Sequence, residues 1–331
     1  MAPAAGIVGT GSYLPEHVMT NHDLARTVET SDEWIQSRIG IRERRIVAKD
    51  EATSDLGARA ARRALESAGV AAGEVDLLIL ATSSPDSIQP PTACHVQREI
   101  GAWRAAVVDV NAVCTGFVYG LSMASDMMRG NPAYRTALVV GAEAYSRILN
   151  WEDRTTCVIF GDGAGAAVLR PVEAGFGVLS SYLRADGSKH ETICVPGGGS
   201  RLPASPEVLA KRLDKFRMNG REVWDFVMEA FPQAVREAVR GAGLSLADVD
   251  LPMDKTYLTV DRYGNTSAAS VPITLDEAAR AGRLRRGDVV VLVAFGGGLT
   301  WGATVMRWAG TPADGIGLEA AAQPALSAGR T

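Results

Sequence analysis

The sequence predicts an α/β layered fold, and three observations carry that reading. Short, continuously apolar runs rich in Val, Ile and Leu recur along the chain, the pattern of strands covered on both faces. Segments with helical apolar spacing lie between them and end at glycine. A stretch of the first half also reappears in the second half.

The expected strands are 77–81, 106–110, 137–141, 157–160 and 289–294. Residues 54–68 place Leu56, Ala60, Ala64 and Leu65 at helical spacing, with Gly69 as the stop. Residues 221–240 form a second long helix, again closed by glycine. The stretches 60–77 (AARRALESAGVAAGEVDL) and 234–251 (AVREAVRGAGLSLADVDL) align at an offset of 174. Ala60, Arg62, Ala64, Ala68, Gly69, Val75, Asp76 and Leu77 recur at the same spacing. Helix, stop and strand start repeat together, which reads as a duplication. The copies then part: Asp76 to Asp109 is 33 positions, whereas Asp250 to Asp261 is 11, so the second half is 22 positions short. That is about one strand, one short helix and their turns. Residues 309–331 are rich in Ala, Gly and Pro without periodicity and read as a mobile tail.

Composition excludes several classes. Of 331 residues, 47% are apolar and 22% charged, so the chain can bury a large core and is neither disordered nor a small disulfide scaffold. A net charge of −4 argues against general nucleic-acid binding. No apolar run reaches the ~20 residues that span a bilayer. No basic stretch followed by an apolar region opens the chain, so no secretory leader is expected. Cys94, Cys114, Cys157 and Cys194 lack CxxC spacing, and their number is ordinary for a cytoplasmic protein. His17, His22, His95 and His190 are scattered without metal-ligand spacing, so neither a metal nor a cofactor is expected.

Four motifs could carry chemistry. In NAVCTGF (111–117), Cys114 follows the expected strand 106–110 and opens an apolar helix over 115–128. A thiol at a helix N-terminus meets unpaired N–H groups and the positive dipole end, which lowers its pKa and makes it a nucleophile. The competing reading is a small core cysteine. YGNTSAAS (263–270) follows an expected strand at 258–260; its Gly-Asn pair is either a helix cap or an amide donor aimed at a carbonyl or enolate oxygen. AFGGGLTWG (294–302) is either a tight turn or an oxyanion hole built of backbone N–H groups. FGDGAGA (160–166) matches a dinucleotide fingerprint only loosely and reads as close strand packing.

These motifs in this order, together with SDEWIQSRIGIR at 31–42, resemble β-ketoacyl-acyl-carrier-protein synthase III, the initiating condensing enzyme of the thiolase-fold superfamily. The resemblance covers about residues 6–308. It implies an α/β thiolase-like fold of two duplicated halves packed as five α/β layers: residues 1–172 with the nucleophile, residues 173–308 as the shorter half, and the tail 309–331. It implies a decarboxylative Claisen condensation. An acyl-CoA primer acylates Cys114, and a malonyl-carrier thioester then loses CO2 and attacks, giving a 3-oxoacyl-carrier thioester for fatty-acid or polyketide synthesis. Asn265 matches the supporting asparagine, and the N–H groups of Cys114 and Gly297 match the oxyanion hole. Trp34, Arg38 and Arg154 match groups that hold the CoA head, and Met218, Gly220 and Trp224 match the pantetheine tunnel wall. The implied partners are acyl-CoA, the malonyl-acyl-carrier protein and a second copy of the chain in a homodimer, with no nucleic acid and no membrane. In the family the loop holding Gln89 crosses to the partner subunit, where an aromatic side chain usually lines the primer pocket. Glutamine there suggests a primer unlike the common small or branched acyl groups.

The catalytic histidine of the family has no counterpart here. It belongs to a segment just after the position of Leu251, where the repeat is 22 positions short. That segment also brings basic residues to the carrier protein. What remains nearby is Lys211, Arg212, Lys215, Arg217 and Arg221, which read equally as a solvated helix face. Three explanations follow: the sequence omits a segment of the complete protein; the deletion is real and leaves an acyltransferase with impaired decarboxylation; or the chain is a non-catalytic partner subunit. The first is favoured, because losing a strand and its covering helix would expose apolar surface that nothing nearby is adapted to cover.

Overall fold

The opening strand, Ala4–Tyr13, carries glycine at position 11, where a Cβ would stand 2.3 Å from the backbone nitrogen of Ala64. The alanine-rich helix Thr53–Ala68 can therefore lie directly on the strand. This computed structural model describes residues 4–249 and 255–310. Its strands are β1 (Ala4–Tyr13), β2 (His17–Thr20), β3 (Glu43–Ile46), β4 (Leu77–Ala81), β5 (Ala106–Val110), β6 (Ala137–Glu143), β7 (Gly163–Val172), β8 (Gly177–Ala185), β9 (Ile193–Cys194), β10 (Arg217–Met218), β11 (Val289–Gly296) and β12 (Thr300–Arg307). The longer helices are α1 (Asp32–Ile39), α2 (Thr53–Ala68), α3 (Thr92–Ile100), α4 (Gly116–Gly130), α5 (Gly220–Gly241) and α6 (Ser270–Arg280).

The first sheet has the order β1-β7-β6-β4-β5, with β4 parallel to both β5 and β6. The C-terminal ends of these three strands share one edge, the usual place for a site in an α/β sheet. The second sheet is β11-β12-β8, antiparallel throughout. Helices α2 and α3 cover the first sheet through Leu56, Ala64 and Val96. Phe117, Val118 and Leu121 of α4 and Leu275 of α6 fill the space between the two sheets. Ala234, Val235, Ala238 and Val239 of α5 close the far side of the second. The result is five layers, α–β–α–β–α. The arrangement β8-β12-β11 repeats β1-β7-β6, and no described residues stand where β4 and β5 would have counterparts.

Strand 77–81 and the stop at Gly69, which adopts φ 61°, are as the sequence predicts. The first long helix begins one residue earlier than expected, and the expected strands 137–141 and 289–294 each run two residues further. The second long helix spans Gly220–Gly241, and the left-handed glycine comes later, at Gly243. The FGDGAGA stretch does pack closely: a Cβ on Gly165 would meet the Ile273 nitrogen at 2.6 Å.

Other expectations fail for identifiable reasons. Residues 157–160 do not form a strand: Asp153 caps a helical turn at Arg154–Cys157, and only Phe160 makes a bridge, to Asn265. Strand 106–110 forms but is not buried on both faces: among the described residues β5 is an edge strand paired with β4, and its Ala106 and Val108 are left exposed. Residues 258–260 are not a strand: Leu258 is irregular and 56% exposed, and a helical turn follows at Val260–Tyr263. No described neighbour offers it a pairing edge. The Leu251–Pro252 junction lies outside the described residues, as does the tail beyond Gly310. Ala309 and Gly310 are buried, and Ala309 accepts a hydrogen bond from Arg286. On α5, Trp224, Met228 and Phe231 stand exposed at helical spacing, apolar surface that the described residues leave uncovered.

Candidate active site

Cys114 sits where β5 turns toward α4. The Asn111 carboxamide oxygen accepts the Val113 N–H at 3.3 Å, and Val113 adopts φ 49°. A 3-10 turn, Val113–Thr115, then precedes α4, so Cys114 lies one turn ahead of the helix and does not open it. The elbow is tied to the second sheet by Thr300, whose hydroxyl donates to the Ala112 carbonyl at 3.0 Å. The glycine turn between β11 and β12 packs against the elbow. A Cβ on Gly296 would lie 2.7 Å from the Cys114 nitrogen, and one on Gly297 would lie 3.1 Å from the Ile193 carbonyl. The turn thus runs against the Cys114 backbone, the close approach that an oxyanion hole of backbone N–H groups requires.

Asn265 reaches the same point from the other half. Its N–H donates to the Ile159 carbonyl at 2.9 Å, and its carbonyl accepts the Gly161 N–H at 3.1 Å. Its side-chain oxygen accepts the Ser267 N–H at 2.8 Å. The Ser267 hydroxyl donates to Glu143 at 3.0 Å. Glu143 ends β6, is fully buried, and also accepts from the hydroxyls of Thr82, Ser83 and Ser84 and from the Ser83 N–H. Burial raises its pKa against these donors.

The thiol is not activated as the sequence predicts. Burial pushes Cys114 up to about 11, and the Glu143 carboxyl adds to the rise. The Ser267 and Asn265 side chains beside the sulfur oppose it. Below the thiol, Tyr145 stacks on Phe160 at 4.7 Å, and Phe216 meets both rings edge-on at 5.3 and 4.9 Å. The reading from sequence missed Glu143, Ser267 and Tyr145. Glu143 did leave a signal, a carboxylate ending an otherwise apolar strand.

Trp34 lies on α1 with the Arg154 guanidinium 5.0 Å from its ring centre, and Arg154 also donates to the Glu29 carbonyl. Thr27, Val28, Glu29, Glu152 and Arg154 line an open cleft of about 430 Å³ there. Arg38 is exposed on the same helix. Met218 and Gly220 flank the start of α5, but Trp224 is 66% exposed and walls no closed tunnel in the described residues. Gln89 is exposed beside Ile88. Most of the basic run is engaged within the chain: Lys211 pairs with Glu207, Arg212 with Glu152, Lys215 with Asp214, and Arg217 donates to the Lys211 carbonyl. His17, His22, His95 and His190 lie on β2, a turn at Asn21–Leu24, α3 and an exposed turn after β8. None of them is among the groups acting on the Cys114 thiol.

Comparison with known proteins matches residues 108–187 to the family described as 3-oxoacyl-[acyl-carrier-protein (ACP)] synthase III and residues 231–308 to its C-terminal part. A β-ketoacyl-[acyl-carrier-protein] synthase III of Caldanaerobacter subterraneus subsp. tengcongensis is 48% identical over 325 residues, covering 92% of this chain and 98% of that protein. One from Symbiobacterium thermophilum is 49% identical over 323 residues, with the same coverage. The crystal structure of the 3-oxoacyl-[acyl-carrier-protein] synthase III of Aquifex aeolicus superposes with TM-score 0.84 at 38% identity, over 92% of this chain and all of that one. The priming β-ketosynthase of the R1128 polyketide pathway superposes with TM-score 0.85 at 29% identity, over 93% of this chain and 97% of that one. The Caldanaerobacter alignment spans 325 positions but only 92% of 331 residues, about 305, so it runs about 20 positions longer than the stretch of this chain it covers. That agrees in size with the shortfall in the repeat.

Proposed function

The chain belongs to the 3-oxoacyl-[acyl-carrier-protein] synthase III family, and on that premise we propose that Cys114 carries the primer in that family's condensation. The enzyme is an acyltransferase of thiolase-like fold that joins an acyl-CoA to a malonyl-acyl-carrier protein and so initiates fatty-acid chains. One observation carries the assignment of roles: a thiol met on one side by a glycine turn and on the other by Asn265 and Ser267.

The Cys114 sulfur attacks the primer thioester carbon while the N–H groups of Cys114 and Gly297 receive the developing oxyanion. The C–S bond to CoA breaks, and CoA leaves with the thiol proton. The malonyl thioester then loses CO2, and its bonding pair passes into an enolate that the Asn265 NH2 stabilises. The enolate carbon attacks the acyl carbon, the bond to Cys114 breaks with its electron pair going to the sulfur, the 3-oxoacyl thioester departs, and the thiolate takes a proton from solvent to restore the thiol. Trp34, Arg38 and Arg154 hold the CoA head, and Met218, Gly220 and Trp224 flank the pantetheine arm. No cofactor or metal takes part in this scheme.

Incubation with acyl-CoA is expected to add one acyl mass to Cys114, and malonyl-carrier protein is then expected to release CO2 and give 3-oxoacyl product. Absence of both adduct and product would refute the assignment. A second reading, acyl transfer with weak decarboxylation, is favoured by one observation: among the described residues no histidine is one of the groups acting on the thiol. An adduct that forms at full rate with little CO2 release would select it.

Further proposals rest on the same premise. The chain forms a homodimer through β5, an edge strand whose Val108 is exposed. Gln89, on the exposed loop beside Ile88, lines the partner's primer pocket and selects a primer outside the small and branched acyl groups; a preference for acetyl or branched primers in an acyl-CoA panel would count against this. The chain is divided by function at residue 172 into a nucleophile half and a shorter half ending at 308. It works in the cytoplasm, which suits its ordinary number of cysteines. A role in starting polyketides is supported by its likeness to a priming β-ketosynthase.

A further inference from the structure

We propose that Glu143 and Ser267 act as one positioning unit that sets which end of the Asn265 carboxamide faces the reacting thioester. The proposal rests on the condensation reading above and adds to it two residues that do not themselves meet substrate.

A carboxamide has two ends of nearly equal shape, an acceptor oxygen and a donor NH2. Only the NH2 can stabilise an enolate oxygen, so something must choose the orientation. At Asn265 the choice is made by the Ser267 N–H, 2.8 Å from the side-chain oxygen, with the Ser270 hydroxyl 3.4 Å from the same atom. That leaves the NH2 for the other side, and the Asn265 side chain favours the Cys114 thiolate.

The Ser267 N–H points this way because Ser267 adopts φ 51°, a left-handed conformation that a side chain disfavours. What holds it there is the Glu143 carboxyl, which takes its hydroxyl at 3.0 Å. Glu143 is itself immobilised. It is fully buried, has no cationic partner among the described residues, and is gripped by Thr82, Ser83 and Ser84 from the end of the neighbouring strand. Gly141, two residues earlier and so on the same face of β6, lets the Ser267–Ala269 turn approach: a Cβ there would stand 2.3 Å from the Ala268 carbonyl. Gly141 provides the clearance and Glu143 the anchor. Neither residue takes or gives a proton in the reaction.

The test measures Cys114 acylation and malonyl CO2 release separately in wild type, Glu143→Gln, Ser267→Ala and the double variant. Alanine keeps the side-chain penalty at φ 51° and removes only the hydroxyl that anchors the turn. Acylation is expected to stay within about threefold of wild type or to quicken in Glu143→Gln, since the carboxyl opposes the thiolate, and to slow less than CO2 release in Ser267→Ala, whose hydroxyl favours the thiolate. CO2 release is expected to fall about 10²-fold, the scale of a misplaced catalytic donor. The double variant is expected to be no worse than the poorer single variant, because the two residues act as one unit. Parallel loss of both half-reactions, unchanged CO2 release, or additive losses would overturn the proposal. If Glu143→Gln does not fold, Ser267→Ala decides alone on the same criteria. If wild type releases no CO2, the condensation reading fails by itself. A crystal structure of Ser267→Ala then decides this proposal, a turned Asn265 carboxamide supporting it and an unmoved one refuting it.

Discussion

The Arg154 guanidinium stands 5.0 Å from the centre of the Trp34 indole, joining α1 to the turn at Arg154–Cys157 at the mouth of an open cleft. A cation over an exposed ring contributes about 0.5–1 kcal/mol. Arg154→Ala is therefore expected to raise KM for acyl-CoA about two- to fivefold by that contact alone. Trp34→Ala, which also removes the stacking surface, is expected to raise it further, with kcat nearly unchanged in both. An acyl-pantetheine primer, which lacks the nucleotide, should be blind to either change in steady-state assays.

The Cys114 thiol makes a prediction about pH. Its pKa is raised to about 11, so the protonated form dominates below that value and the reactive thiolate is the minority species at neutral pH. Alkylation by iodoacetamide, followed by peptide mapping, is expected to rise about tenfold per pH unit and to level off near the thiol's own value. A rate independent of pH between 7 and 9 would show a thiolate already formed, as the helix-terminus argument from sequence expected.

Gly141→Ala should damage the site and the fold together. The new methyl would stand 2.3 Å from the Ala268 carbonyl, a backbone atom that cannot swing away. Overpacking of this kind costs about 1–3 kcal/mol. Calorimetry is expected to show a lower Tm and assays a larger loss of CO2 release than of acylation. Gly130→Ala, where no atom lies within 4 Å of the added carbon, should leave both unchanged.

Val108→Lys tests the proposed dimer. The side chain is already 37% exposed on an edge strand, so the monomer should tolerate it. Sedimentation is expected to shift from twice the 34.9 kDa chain mass to a single chain. A wild-type protein that already sediments as a single chain would refute the dimer.

What was legible in the sequence was whatever a short contiguous stretch could express. Cys114, Asn265 and the glycine turn each sit in a motif whose composition announces close backbone approach, and the structure brings all three together. The strand Leu77–Ala81 and the stop at Gly69 were legible for the same reason. Glu143 was not, because its role arises only when residues 82–84, 143 and 267 meet in space. The thiol's pKa was misjudged because a dipole can be read from the local sequence, whereas the burial that outweighs it comes from distant elements. Residues 258–260 have strand-like composition, but a strand needs a neighbour, and composition does not reveal whether one is present.

The unequal sheets also set an order of failure. Strand β6 is bonded on both sides and buried along its whole length, whereas β11 is bonded only to β12 among the described residues and keeps Val289, Val290 and Val291 half-buried. Amide hydrogen exchange should therefore be slow in β4 and β6 and much faster along the outer edge of β11. The glycine turn against Cys114 hangs from that looser strand, while Asn265 is pinned to the Phe160 segment and Ser267 to β6. Under rising denaturant the two walls of the site are expected to separate before the chain unfolds, with activity lost ahead of the circular-dichroism transition.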